Sequence, residues 1–166
     1  MGGYCMTFSH RYNTSNIEES VQKDNELKKV WAILLEYFCQ NACQVKIRYW
    51  PGDYKFSQNP DYVSSTFGVE SLSRYSISIS RIDHCMEELL APIVAETIQI
   101  LLQEGNTNVT NMISPWFHIE LISTEGNTVF YSGDYGQDIL MFLTDYDTRQ
   151  LASLGIIMDD LIKLTE

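Results

Sequence analysis

The sequence has no lysine and no arginine between Arg81 and Arg149, although this interval contains eleven carboxylates. Residues 1–83 contain nine basic and nine acidic side chains, whereas residues 84–166 contain two basic and thirteen acidic ones. The net charge of −11 therefore belongs to the second half of the chain. Such an asymmetry attracts cations and basic proteins and repels phosphates.

Other features that the chain lacks restrict its location. It has no run of about 18 apolar residues, so we expect no membrane span. The N-terminus lacks the charged and apolar regions of a signal peptide. Four irregularly spaced cysteines do not form the pattern of a disulfide framework. We therefore expect a cytoplasmic protein with reduced thiols.

Motifs of enzymes and cofactor sites are also absent: there is no Walker A motif, no G-x-G-x-x-G, no G-x-S-x-G and no H-E-x-x-H. Asp83, His84 and Cys85 are reactive residue types in sequence, and a cysteine nucleophile needs a histidine within hydrogen-bond reach. Neighbours on a strand or helix point apart, so we expect Asp83 to cap a helix and Cys85 to pack inside. We expect no enzyme and no cofactor; an enzyme using Cys85 or an Asp/Glu pair is the alternative.

The sequence contains only weak patterns for a metal site or a nucleic-acid site. Cys39 and Cys43 are four residues apart on a predicted helix, but no second Cys/His pair completes a zinc site. Asp134, Asp138, Asp145 and Asp147 lack the spacing of an EF-hand loop, so we expect no metal. A small basic-aromatic patch could stack bases, but the charge of −11 opposes this, and we expect no nucleic acid. It comprises Lys46, Arg48, Lys55, Tyr49, Trp50, Tyr54 and Phe56.

Hydrophobic periodicity predicts the main elements in the first half. Residues 25–41 have an apolar stripe typical of an amphipathic helix, with Asp24 as its N-cap. Residues 44–50 and 75–82 alternate apolar and polar side chains, which predicts strands. A second helix is expected within residues 84–104, ended by Gly105 and either kinked at Pro92 or begun just before it.

The second half predicts a hairpin of residues 116–124 and 128–132 and a short helix of residues 148–154, capped by Asp147 and ended by Gly155. Residues 138–143 fit a helix or a buried strand, and residues 54–74 have no clear period, although a strand over 62–69 is considered. Residues 1–23 are predicted to be a flexible or edge-strand lead-in. We predict a single α+β domain over residues 24–166, an antiparallel sheet with two main helices and a short C-terminal helix packed on it.

The apolar stripes also predict the core. Trp31 and Leu34 on the first helix, Ile77 and Ile79 on the strand and Leu101 on the second helix are expected to be buried together.

Carboxylates mixed with tyrosines in the second half have the chemistry that steers and holds a basic protein partner. The composition also has an explanation without a partner, since acidic cytosolic proteins are common and tyrosine is frequent on loops. The predicted partner-binding residues are Tyr131, Asp134, Tyr135, Asp138, Asp145, Tyr146 and Asp147. An alternative surface is an acidic helix face formed by Glu87, Glu88 and Glu96.

In its outline and charge, the chain resembles two groups of small α+β proteins. One comprises immunity proteins, which cover the basic active site of a toxic nuclease with carboxylates and aromatics. The other comprises secretion chaperones, which bind unfolded effector segments as dimers. The resemblance covers outline and charge only, so no functional residue is transferred. The leading hypothesis is a non-enzymatic immunity-type inhibitor of a basic toxin or enzyme; a secretion-type chaperone is the alternative.

Overall fold

The structure, a computed structural model, describes residues 8–14, 21–57, 59, 61–103 and 112–164. The first helix, α1, extends over Val21–Cys39. Asp24 therefore lies inside the helix and is not its N-cap. The predicted stripe is confirmed, since its buried side chains recur at three- and four-residue spacing; they are Leu27, Trp31, Leu34, Leu35, Phe38 and Cys39.

Eight strands in the described residues form one antiparallel sheet, which confirms the predicted fold class. Their order is β3-β4-β2-β5-β6-β7-β1-β8, so the strand found in the lead-in, β1, lies between β7 and β8. The strands are β1 His10–Tyr12, β2 Gln44–Tyr49, β3 Ser78–Arg81, β4 Glu87–Pro92, β5 His118–Ile122, β6 Thr128–Gly133, β7 Asp138–Met141 and β8 Leu161–Lys163.

Three shorter helices and three 3₁₀ turns connect the strands in the described parts of the chain. The helices are α2 Val69–Ser73, α3 Ala95–Leu101 and α4 Asp145–Ser153. The turns are Pro51–Phe56, Asp134–Gly136 and Met158–Asp160. The strand considered over residues 62–69 is wrong, because bends, turns and the start of α2 occupy them, and residues 138–141 form a strand. No helix among the described residues is both long enough and apolar enough to cross a lipid bilayer.

The second predicted helix is wrong over its first half. Residues 87–92 form β4, which pairs with β2 on one side and with β3 on the other, and only residues 95–101 are helical. The apolar run at Leu89 and Leu90 fits both a helical stripe and a buried strand. Pairing on both sides satisfies the backbone of a central strand, and Pro92 falls at its end, where it is tolerated. Gly105, the predicted end of the helix, lies outside the described residues.

The two faces of the sheet differ in what covers them. On one face, Ile47 of β2 lies between Leu89 and Ile119, and all three are fully buried. The α1 helix packs on this face: Trp31 Nε1–H donates to Ser132 Oγ at 3.0 Å, and the Phe38 and Phe130 rings are 5.4 Å apart. We call it the helix-covered face and call the opposite one the polar face.

The predicted core is confirmed for Trp31, Leu34 and Leu101 and wrong for Ile77 and Ile79, which are 57% and 49% exposed. Strict alternation over residues 75–82 correctly predicts a strand, but only Ser78–Arg81 forms it, and Ile77 lies in the bend before it. However, β3 is the terminal strand of the sheet, and α2 packs against β4, one strand further in. An apolar face without a covering layer stays in contact with solvent.

The hairpin of β5 and β6 and the short helix α4 are confirmed. The N-cap of α4 is Thr144, and Asp147 is its reciprocal partner three residues into the helix, a capping box. Gly155, with φ +90°, follows the end of α4 as predicted.

Candidate functional site

A charged band crosses the polar face of the sheet. Lys46 of β2 lies opposite Glu120 of β5, while Arg48 lies between His118 of β5 and Glu88 of β4. Alternation along each strand places these five side chains on one face, because Val45, Ile47 and Ile119 point to the other. The band is therefore a consequence of strand register.

Glu120 is the centre of this band and is only 9% exposed. Its carboxylate lies 3.5 Å from Lys46 Nζ, 3.4 Å from Arg48 Nη2 and 2.9 Å from His118 Nε2, and it accepts a 3.2 Å hydrogen bond from Thr128 Oγ1. Burial alone raises the pKa of Glu120, but the His118 hydrogen bond and the Lys46 and Arg48 charges outweigh it and lower the pKa to about 2. An acid of this strength has no proton to donate near neutral pH, so the cluster acts as an ion-paired network.

The predicted partner-binding residues of β6 and β7 meet around the turn that joins these two inner strands. Tyr131 is on β6, Asp134 and Tyr135 form the following 3₁₀ turn, and Asp138 begins β7. We call these four residues the acidic corner. Burial raises the pKa of Tyr131, and Asp138, Glu120 and Asp134 raise it further, against the opposing charge of Arg48. Negative charge therefore surrounds the phenol.

The side chains of the acidic corner differ in how many contacts they form. Asp138 forms a 3.1 Å ion pair with Arg11, and both side chains are exposed to solvent by about half. The Tyr131 phenol lies against Gly133, where a Cβ would collide with its oxygen. Asp134 is exposed, and no ion pair to it occurs in the described residues. Of the two carboxylates in the acidic corner, Asp134 is thus the more available to a partner.

The backbone of the corner is strained. Asp134 and Tyr135 have φ values of +47° and +54°, and Gly136 follows with φ +87°. Left-handed backbone costs a non-glycine residue about 1–2 kcal/mol. At Gly136 a Cβ would also approach Ile113 closely, so glycine is required there by both conformation and space.

Contacts of Tyr135 hold this strained turn in place. Its carbonyl oxygen accepts hydrogen bonds from the Ile113 and Ser114 N–H groups at 3.1 and 2.8 Å. Its own N–H donates to the Phe117 carbonyl at 3.3 Å, and its phenol donates to the Val63 carbonyl at 2.9 Å. Tyr135 is therefore an internal anchor of the corner, and it holds the backbone next to Asp134.

The other predicted partner-binding residues lie on α4, which begins beyond the opposite end of β7. Asp147 is engaged: it accepts hydrogen bonds from the Thr144 N–H at 2.8 Å and the Tyr37 phenol at 2.6 Å. Asp145 is exposed, and Tyr146 is 61% exposed. The predicted surface is therefore divided into the acidic corner and an α4 patch, formed by Asp145, Tyr146 and Asp147.

The alternative surface does not form one helix face. Glu87 and Glu88 are neighbours on β4 and point to opposite faces of the sheet. Glu87 accepts a 2.8 Å hydrogen bond from the Tyr49 phenol, and Glu88 lies 2.9 Å from Arg48 Nε. Glu96 is exposed in the first turn of α3. These three side chains do not share one helix face because strand β4 replaces the first half of the predicted helix.

The reactive triplet lies in the turn between β3 and β4, not at a helix start. Asp83 Oδ1 accepts hydrogen bonds from the Cys85 and Met86 N–H groups, both at 2.8 Å, and lies 3.3 Å from Cys85 Sγ. Its ligand atoms and those of His84 and Cys85 lie within 4.8 Å of one another, because the turn gathers side chains that a strand would separate. All three are exposed, so Cys85 does not pack inside. The Asp83 hydrogen bond raises the pKa of Cys85 and opposes thiolate formation.

The other weak patterns are dispersed in the structure. Cys39 is buried at the end of α1, and Cys43 lies beyond the helix. In the basic-aromatic patch, Lys46 and Arg48 are ion-paired on the polar face. Tyr49 lies on the other face, and Lys55 covers the neighbouring Phe56 ring at 4.7 Å.

Sequence reasoning missed the Glu120 network. The pattern was visible, because His118 and Glu120 alternate with Ile119 and Leu121. The pairing of β5 with β2, which places Lys46 opposite Glu120, follows only from the tertiary fold.

Comparison with known proteins assigns no family. No protein-family model, no curated protein and no solved structure matches this chain. Functional inference therefore rests on the geometry and charge of its surface.

Proposed function

We propose that this chain is a non-enzymatic protein-binding domain that neutralises a basic toxin or enzyme by direct binding, as an immunity-type inhibitor does. The acidic corner is the centre of the proposed binding surface. The α4 patch extends it or forms a second contact region.

The observation that carries the proposal is the strained turn at Asp134 and Tyr135. Two consecutive left-handed non-glycine residues are costly and persist only where surrounding contacts determine them. Here those contacts fix the backbone beside an exposed carboxylate that has no cation in the described residues. A backbone that is fixed in advance loses less conformational entropy on binding.

The distribution of charged residues supports the proposal that the partner is basic. The chain from Asp83 to Asp147 contains no lysine and no arginine, and Glu120 is paired with Lys46 and Arg48 of β2. The carboxylates that remain at the surface can steer a positively charged protein and increase its association rate. Asp138 already forms an ion pair with Arg11 of the same chain. An arginine of the partner can form the same contact with Asp134.

One observation favours the chaperone as a second candidate. β3 ends the sheet, and Ile77, Ile79 and Ile82 beside its free edge are exposed by about half. A free strand edge with apolar side chains can bind an extended segment by adding a strand. This surface predicts an unfolded partner and weak dependence of binding on salt.

A basic toxin or enzyme encoded beside the gene of this chain would be the first partner to test. We expect stoichiometric inhibition of its activity and an association rate that falls as salt screens the charges. Asp134→Lys with Asp138→Lys should slow association at least tenfold. Glu70→Lys with Glu125→Lys changes the net charge equally at two other exposed sites, and it should have less than a threefold effect. Full activity of the partner in the presence of excess inhibitor contradicts the proposal, whereas salt-independent binding lost in Ile79→Lys favours the chaperone.

A further inference from the structure

A cavity of about 460 Å³ lies beside α1 and shares part of its wall with the contacts of Tyr135. Its described walls come from the α1 side chains between Asn25 and Ala32, from Ser57, Asn59 and residues 62–64 and 67, from Leu102 and Gln103 after α3, and from residues 112–115. Cavities of a few hundred Å³ are typical of small-molecule sites. The size therefore fits one organic molecule and not a protein segment.

Apolar and aromatic groups line part of the cavity. Trp31 is 3% exposed, and its indole N–H is already bonded to Ser132, so it offers the cavity an apolar ring. Phe67 packs against Trp116 with ring centroids 5.4 Å apart, which fixes its position. Tyr62 lies in the same lining and is 40% exposed. Rings held in this way suit a flat apolar ligand.

The charged groups in the described lining are both positive, Lys28 and Lys29. Neither lysine has an ion pair in the part of the chain that the structure describes. This contrasts with the whole chain, in which acidic residues outnumber basic ones by 22 to 11. Two ammonium groups beside a cavity attract anions locally, whatever the net charge of the chain.

Polar groups of the walls are largely committed to the protein. Ser64 Oγ donates to the Asp53 carbonyl at 3.2 Å and contacts Thr66 Oγ1 at 2.6 Å, while Ser114 Oγ accepts from the Trp116 N–H at 3.0 Å. The two ammonium groups, with three donors each, are the charged donors of the described lining, beside the neutral amides of Asn25, Asn59 and Gln103.

The geometry points to a binding site for a small organic anion with a flat, apolar body, whose acidic group is held by Lys28 and Lys29. The body contacts Trp31, Phe67 and Tyr62. The cavity adjoins the acidic corner through Val63, Ile113 and Ser114, which bond to Tyr135, but Lys28 and Lys29 are not part of the proposed protein-binding surface. The proposal does not rest on the proposed function.

Two fluorescent probes that differ by one sulfonate test the site: anionic 8-anilino-1-naphthalenesulfonate and neutral N-phenyl-1-naphthylamine. We expect both to bind the folded protein at one saturable site at low salt. Lys28→Gln with Lys29→Gln should weaken binding of the sulfonate at least tenfold and change binding of the neutral amine less than twofold. Lys28→Arg with Lys29→Arg should keep the sulfonate affinity within threefold of the wild type.

The matched control is Lys55→Gln with Lys163→Gln, which removes two lysines outside the cavity and should change the sulfonate affinity less than twofold. Ala32→Phe places a ring in the cavity and should weaken both probes. The proposal is overturned if neither probe binds the wild type at a single site. Two further results would overturn it. One is that Lys28→Gln with Lys29→Gln binds the sulfonate as tightly as the wild type. The other is that this variant and Lys55→Gln with Lys163→Gln lose the same affinity for the sulfonate.

Discussion

The two faces of the sheet achieve stability in different ways. On the helix-covered face, Ile47, Leu89 and Ile119 are buried under α1 and its neighbours. On the polar face, Lys46 and Glu120 are held by one another and by nearby charges. The difference shows that the charge count of a sequence is not a map of its surface charge. Glu120 belongs to the interval without basic residues, yet its partners come from β2, far earlier in the chain.

The largest effect is expected on the helix-covered face. Leu34 is fully buried, so Leu34→Ala should lower the free energy of unfolding by about 2–5 kcal/mol. Ile79 is an apolar control of similar size, 49% exposed on the terminal strand, and Ile79→Ala should cost less than about 0.5 kcal/mol. Urea denaturation measures both. Equal losses at the two sites would show that a layer covers β3 as well.

On the polar face, Glu120→Gln should lower the free energy of unfolding by about 2–3 kcal/mol, because Lys46 and Arg48 then lose the carboxylate that compensates them. Asp134→Asn, at the exposed corner, should change it by less than about 0.5 kcal/mol. A Glu120→Gln protein as stable as the wild type would mean that the network contributes nothing to folding.

Low pH should remove the contribution of Glu120 to the free energy of unfolding. Its pKa in the folded protein is about 2, below the ordinary value of 4.5, so its stabilisation is present above about pH 5 and lost as the pH falls towards 2. The stability difference between wild type and Glu120→Gln should therefore shrink over this window. Chemical denaturation at a series of pH values measures it, and a difference that is constant down to pH 2 contradicts the assignment.

The smallest stability effect is expected for the acidic corner, where Asp134→Asn with Asp138→Asn should cost at most about 1 kcal/mol. The Arg11–Asp138 pair is exposed at both ends, and such pairs contribute little. Thermal unfolding checks this. A loss above about 2 kcal/mol would mean that these carboxylates are structural.

Sequence periodicity predicts an element best where one face is buried and the element is long. The stripe of α1 from Leu27 to Cys39 fits only a helix, and the alternation of Gln44–Tyr49 fits only a strand. The run at Leu89 and Leu90 satisfies both periods, so pairing with two neighbouring strands decides it. The exposure of Ile79 depends on which elements cover β3, a tertiary property that no local pattern contains.

The candidate site is predictable in composition but not in geometry. The mixture of tyrosines and carboxylates identifies Tyr131, Asp134 and Asp138, which the fold brings to one corner. No local pattern predicts left-handed backbone at Asp134 and Tyr135, because it is unfavourable and depends on hydrogen bonds from residues 113 and 114. The division of the predicted surface between the corner and α4 likewise follows from the length and direction of β7.

Titration of the ¹⁵N-labelled protein with hexalysine, followed by amide chemical shifts at low salt, tests the central claim most directly. The account predicts that the largest shift changes occur at residues 131–138, that they decrease with salt, and that Asp134→Asn with Asp138→Asn removes them. Residues 46–48 and 118–120 should change little, because their charges are already paired. Changes centred on Lys46, Arg48 and Glu120, or changes at the corner that persist in the double variant, would contradict it.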